Sequence, residues 1–199
     1  MKNIVEDGRD HPCNRDALRR KRQATRLKDY DYAAEGYYFV TICIKNKQNL
    51  FGEIVDDKMV LNKYGEIVRE CYLDLANHYA NIKLDEYVIM PNHFHSIIII
   101  DNEDTDCIKQ YKNVGNGLNP FPARRHGLPE IVRAFKTFSS RKINDTQPNV
   151  KFQWQKSYYD HFIRDNGSYD KVRDYIINNP LNWALDAENT EHVEIKGTV

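Results

Sequence analysis

The sequence predicts an α+β domain, a single antiparallel β-sheet flanked by α-helices. Three observations carry this. Tyr37 to Ile44 is a dense β-branched and aromatic run, the signature of a buried strand. Lys83–Met90 and His93–Ile100 are two strand patterns separated only by Pro91-Asn92, a pair suited to a tight turn and hence to a hairpin. Three segments repeat apolar residues at three-to-four spacing between and after the strands. The order β-β-β-α-β-β-α-β-α then suits helices packed on one sheet, and 199 residues are enough for one domain with tails.

Residues 1–29 read as a basic arm, because seven Lys/Arg face one acid between 15 and 28 and no apolar period accompanies them. The domain spans 30–185. Its first strand is followed by polar residues 46–49 and by two short strand-like pieces in 50–60, split by Asp56-Asp57. A helix is predicted over Lys63–Ala80, with Asn62 as N-cap and Ile67, Val68, Cys71, Leu75 and Ala76 inward. After the hairpin comes a long polar loop, 101–127. A second helix covers Leu128–Asn144, with Pro129 in its first turn and Ile131, Val132, Phe135 and Phe138 inward. A strand ends at Ile163, and a last helix runs from an N-cap at Ser168 to about Asn179, where Pro180 stops it. Residues 186–199 form an acidic tail.

Several classes are excluded. Nine Gly and seven Pro are too few for a fibrous or low-complexity chain. The longest aliphatic run, Ile97–Ile100, is too short to span a membrane, and the polar, acidic start is not an export signal. The four cysteines include no CxxC pair, which removes zinc-ribbon and thioredoxin-like readings. They are expected as reduced thiols in a cytoplasmic protein, with Cys43 in the core.

The sharpest chemical feature is His93-x-His95. On a strand, alternation puts both imidazoles on one face and Phe94 on the other, in the core. Two such imidazoles can share a metal ion or can simply be half-buried and hydrogen-bonded. A metal needs further ligands. On the last helix Tyr175 and Asn179 stand at i and i+4, beside the apolar pair Val172 and Ile176. A hydroxyl and an amide oxygen presented there suit such a site; equally, they suit a surface aromatic and a helix cap.

Five stretches, in order over about residues 30–183, resemble the single-tyrosine HUH transposases. They are Gly36–Thr41, Glu86–Ile98, Phe135-Lys136, Trp154-Gln155 with Tyr159–His161, and Tyr169 with Tyr175 through Pro180. The closest likeness is to the REP-associated tyrosine transposase (RAYT) branch. The resemblance implies a ferredoxin/RRM-like HUH fold, with His93 and His95 holding a divalent metal, Asn179 as third ligand and Tyr175 as nucleophile. Asn at 179 favours the RAYT branch, since the mobile-element branch typically carries Gln there. It further implies a metal-dependent DNA strand transferase that nicks and rejoins single-stranded or hairpin DNA through a 5′-phosphotyrosine link. Mg²⁺ or Mn²⁺ is the expected cofactor, although two imidazoles also suit Zn²⁺ or Ni²⁺. Relatives act as monomers or as homodimers that exchange the tyrosine helix, and both states stay open.

Tyr158 and Tyr159 are rival nucleophiles but are read as stacking or structural residues, and His161 as a possible site-lining group. DNA contact is expected from Arg19, Arg20 and Arg22 of the arm, Arg124 and Arg125 of the loop, and Arg133 and Lys136 on one helix face. An alternative is a domesticated protein that holds hairpin DNA or RNA without cutting it. A histidine-triad hydrolase ranks low, because position 97 is Ile. The formal net charge of zero does not exclude DNA, because the charges are segregated. Residues 128–156 hold six basic and two acidic side chains, and 186–199 hold four acidic and one basic.

Overall fold

The computed structural model describes residues 30–102, 125–146 and 151–189. Strands β1 (Gly36–Cys43), β4 (Ile82–Ile89), β5 (His93–Ile100) and β6 (Tyr159–Ile163) form one antiparallel sheet in the order β4-β5-β1-β6. Strands β2 (Gly52–Val55) and β3 (Lys58–Leu61) pair separately. Asp56 and Asp57 join them with φ of 48° and 58°, the twist that a two-residue hairpin turn needs.

The first helical segment differs from the expected single helix over 63–80. It divides at Asp74 into α1 (Lys63–Leu73) and a short α2 (Leu75–His78). The Asp74 carboxylate accepts from Asn77 Nδ2 and His78 Nε2, both at 3.0 Å, a local side-chain network at the break. Asn62 does cap α1, accepting from the Tyr64 and Gly65 amides at 2.9 and 3.2 Å. Helix α3 covers Leu128–Thr146 and α4 covers Asn166–Asn178. The cap of α4 is Asp165, not Ser168. Its carboxylate accepts from the Ser168 amide at 2.9 Å and from the Ser168 hydroxyl at 2.8 Å, and a negative group suits a helix N-terminus.

The sheet has two unlike faces. Tyr38, Val40, Ile42, Phe94 and Ile98 join α1 and α3 in the main core, with Tyr72, Phe135 and Trp154 fully or almost fully buried among them. The Trp154 indole donates to Ser139 Oγ at 2.9 Å inside that layer. On the other face α4 covers a much smaller cluster of Ile97, Ile163 and Ile176, flanked by Phe39, Val88 and Val172. Full burial of each isoleucine is worth roughly 1.5–3 kcal/mol before chain entropy is counted. That cluster fixes α4 on the sheet beside His93 and His95. Among the described residues no helix is long and apolar enough to cross a membrane.

Candidate active site

Alternation on β5 sends His93 and His95 to the α4 face and Phe94 into the main core. Both imidazoles are buried, 0% and 3% exposed, with ring centroids 4.5 Å apart. Each has one nitrogen committed. Asn92 Nδ2 donates to the carbonyls of Glu188 (2.8 Å) and Lys47 (3.3 Å), so its Oδ1 is the acceptor for His93 Nδ1–H at 2.8 Å. Thr41, directly across from His95 on β1, has its hydroxyl 2.8 Å from His95 Nδ1. The His93 Nε2 lone pair therefore points into the site, the orientation metal-binding histidines adopt when a neighbour fixes the tautomer, and His95 Nε2 lies on the same side, facing Tyr175. Burial lowers the pKa of both rings and keeps them neutral; the proximity of His93 lowers that of His95 further.

Helix α4 is held by β4. The β4–β5 register slips between Leu84 and Tyr87, a bulge that includes Asp85 and Glu86. Asp85 accepts from the Tyr169 hydroxyl, and Arg173 pairs with Glu86 at 2.7 Å and with Asp85 at 3.8 Å. This carboxylate pushes the Tyr169 phenol up to about 12. Two turns on, Tyr175 places its hydroxyl 3.3 Å from His95 Nε2, with its ring edge-on to Phe39 at 6.0 Å. Its pKa is raised by burial first, then by the nearby carboxylate of Asp186, while a hydrogen bond with Asn179 opposes the rise.

Asn179 is 2% exposed, and its Oδ1 has no hydrogen-bond partner; the same is true of His93 Nε2. A buried amide oxygen and a buried imidazole nitrogen left unpaired are costly. Together with His95 they make a donor set that fits a small divalent ion. One group escaped the sequence reading. Asp186, placed there in the acidic tail, turns back against the site, its side chain 7% exposed and its carboxylate 3.9 Å from His93 Nε2. His93, His95 and Asp186 present ligand atoms all within 4.8 Å of one another. The folded unit thus continues past 185. Trp183 packs 6.0 Å from the His93 ring, and Asn189 donates to the Trp183 carbonyl at 3.0 Å. Residues 190–199 lie outside the described residues.

An open cavity of about 650 Å³ lies over these groups, lined by Phe39, Thr41, His95, Tyr159, Tyr175, Asn179 and residues 185–188. Tyr159 is 59% exposed there, whereas Tyr158 is buried at 8% in the main core, so the two neighbours face opposite sides. His161 is exposed on β6 opposite Phe39, outside the lining of this cavity. Cys43 is half-buried on the histidine side, not in the core. Burial and Glu188 push its thiol up to about 12.

A larger groove of about 1260 Å³ runs along α3 and residues 151–158. It is lined by Lys45, Arg133, Lys136, Arg141, Lys151 and Lys156 against the single acid Glu130. Lys136 also has a structural task, because its ammonium donates to the carbonyls of Gln155, Lys156 and Ser157 at 2.6, 3.2 and 3.4 Å. Arg125 is exposed just ahead of α3. Arg19, Arg20, Arg22 and Arg124 lie outside the described residues.

The "Transposase IS200 like" family model matches residues 122–179, a stretch that includes α3, β6, Tyr175 and Asn179. An uncharacterized protein of Haemophilus influenzae is 40% identical over 177 residues, 83% of this chain and 91% of that one. The chain belongs to the IS200-like transposase family. Two solved structures are similar to this IS200-like chain. One is a REP-associated tyrosine transposase bound to a REP hairpin, with TM-score 0.47 and 17% identity over 81% of this chain and 76% of that one. The other is a candidate transposase from Deinococcus radiodurans, with TM-score 0.44 and 16% identity over 77% and 95%.

Proposed function

We propose that this protein is a metal-dependent DNA strand transferase of the RAYT type, which nicks and rejoins single-stranded, hairpin-bearing DNA through Tyr175. The observation that carries this reading is the meeting of Tyr175 of α4 and its C-cap Asn179 with His95 at one cavity, with the His93 ring buried beside His95. His93, His95 and Asn179 would hold Mg²⁺ or Mn²⁺. When bound, the ion supplies charge for the scissile phosphate and for the departing 3′ oxygen.

The chain's own residues account for the rest. Tyr175 Oη attacks phosphorus in line, the P–O3′ bond breaks, and the 3′ oxygen leaves as a hydroxyl while the 5′ phosphate stays on the tyrosine. A phenol has an ordinary pKa of about 10 and must lose its proton to attack. Burial raises that barrier here, so activity should increase with pH through neutrality. The contacts from Tyr169 and Arg173 to Asp85 and Glu86 fix the helix that aims Tyr175. A free 3′-OH of another strand reverses the step at the same phosphorus and restores the phenol.

The basic groove on α3 suits the phosphate backbone of a hairpin. Tyr158 lines this groove and Tyr159 lines the cavity, so the start of β6 joins the two. A single strand leaving the groove would pass Tyr159 on its way to Tyr175.

The test is a labelled hairpin oligonucleotide with a single-stranded flank, incubated with and without Mn²⁺. A metal-dependent nick together with a denaturation-resistant protein–DNA adduct is expected. Tight binding with no nick in any metal would instead favour a domesticated hairpin-binding protein.

A further inference from the structure

Asp186 is unaccounted for by the residues proposed above. It follows the helix by a short path: Pro180 ends α4, a 3₁₀ turn covers Trp183–Leu185, and the chain then brings the carboxylate back under His93. The loop is laced in place on both sides. Asp186 Oδ1 accepts from the Glu188 amide at 2.6 Å, Glu188 pairs with Lys47 at 3.1 Å, and the Glu188 carbonyl accepts from Asn92, which also orients His93. Asp186 Oδ2 is left facing the site, 3.9 Å from His93 Nε2 and 3.4 Å from Asn179 Nδ2.

A carboxylate with 7% of its side chain exposed needs a cationic partner to offset its lost hydration. Among the described residues its near neighbours are two imidazoles and an amide, and the one basic residue in that loop network, Lys47, is paired with Glu188. Two buried atoms without hydrogen-bond partners, His93 Nε2 and Asn179 Oδ1, belong to the residues that flank Oδ2. Ligand atoms of an ion with bonds of about 2.1 Å lie about 3.0 Å apart when adjacent and about 4.2 Å apart when opposite. The 3.9 Å between His93 and Asp186 falls in that span.

We infer that Asp186 Oδ2 is a fourth protein ligand of the divalent ion, added to His93, His95 and Asn179 from the turn after the tyrosine helix. This rests on the metal-centre reading proposed above. An anionic oxygen biases the site toward hard ions such as Mn²⁺ and Mg²⁺ over ions that prefer nitrogen alone. It also makes the segment past Asn179 part of the metal centre.

Mn²⁺ is titrated into the full chain without DNA, and free Mn²⁺ is followed by its electron paramagnetic resonance signal. Asp186→Asn keeps one oxygen that can still accept from the Glu188 N–H but removes the charge and replaces Oδ2 with a non-ligating NH2 group. It is expected to weaken Mn²⁺ binding at least about tenfold while circular dichroism stays as in the parent. Asp186→Ala is the second variant, should the Asn form fail to fold, and is expected to weaken binding at least as much. A dissociation constant within twofold of the parent, or a tighter one, in the folded variants would overturn the inference, and would reduce Asp186 to an orienter of Asn179 or a blocking group. His95→Ala separates the two levels. If it weakens Mn²⁺ binding and Asp186→Asn does not, the metal centre stands without Asp186; if neither does, the metal-centre reading falls, and the inference with it.

Discussion

On β5, Phe94 and Ile98 face α1 and α3, while His93, His95 and Ile97 face α4. The first side continues into a wide aromatic layer, with Phe94 against Phe135 at 5.1 Å and Tyr72 at 4.9 Å. The second side has only three buried isoleucines, and then two buried histidines, a buried amide and a carboxylate with unpaired atoms among them. One strand thus serves two purposes by period-two alternation. The wide layer provides the stability that lets the narrow one keep polar groups in a costly arrangement.

The difference should be sharpest in the variant that removes one oxygen. Tyr175→Phe is expected to abolish the covalent DNA adduct and the nick, read on a denaturing gel with labelled hairpin DNA. Binding and melting temperature should stay close to the parent, because the residue is 47% exposed and its hydroxyl contacts only the site groups His95, at 3.3 Å, and Asn179. An adduct that survives the change would move the nucleophile elsewhere.

Next in size is the stability contrast between neighbours on one strand. Phe94→Ala empties a fully buried position and should cost about 3–5 kcal/mol in urea unfolding. His95→Leu removes a buried polar ring from the other face and should cost no more than about 1 kcal/mol, because the Thr41 hydroxyl it leaves can rotate toward the open cavity. Equal costs would break the division of the sheet into a stabilising and a chemical face.

A smaller effect is pH dependence of the metal-free protein. Both His93 and His95 have folded pKa values below the ordinary 6.5, burial being the main cause. As pH falls through 6.5 the unfolded chain takes up protons before the folded one, so stability declines on the acid side. The decline should reach up to about 1.4 kcal/mol per pH unit for each ring. Thermal melting between pH 7.5 and pH 5 checks this. His95→Leu should flatten the slope, whereas Phe94→Leu should lower the melting temperature and leave the slope unchanged.

The strand alternation that separates these faces was legible in the sequence, as were the Asn62 cap, the Asp56-Asp57 split and the pairing of Tyr175 with Asn179 on one helix face. All are local, set by periods of two or 3.6 residues or by one side chain and its nearest amides. What escaped reading depends on chain reversal. Asp186 sits among acids in a stretch with no period, and only the turn after Pro180 returns it to His93. Asn92 reads as a turn residue, yet its amide also fixes the His93 ring and the 188 backbone, a double role set by residues 45 and 96 positions away.

Tyr158 and Tyr159 show the same limit at the smallest scale. From the sequence both suit stacking or structural roles without a way to say which takes which, but β6 begins at Tyr159, and alternation leaves only one of two neighbours for the site. Tyr158 went to the main core beside α3, and Tyr159 to the cavity. Tyr159→Ala should therefore leave the melting temperature within a degree or two of the parent. Its affinity for a hairpin with a single-stranded flank should drop by about 1–3 kcal/mol, the worth of one stacked base. The loss should vanish when the flank is trimmed away, since the hairpin stem is assigned to the groove on α3 and does not reach Tyr159. Tyr158→Ala should act in reverse, lowering stability by a few kcal/mol through lost packing, with the flank making no difference. If both variants lose affinity equally, whether or not the flank is present, then the DNA path does not run between the two faces at the start of β6.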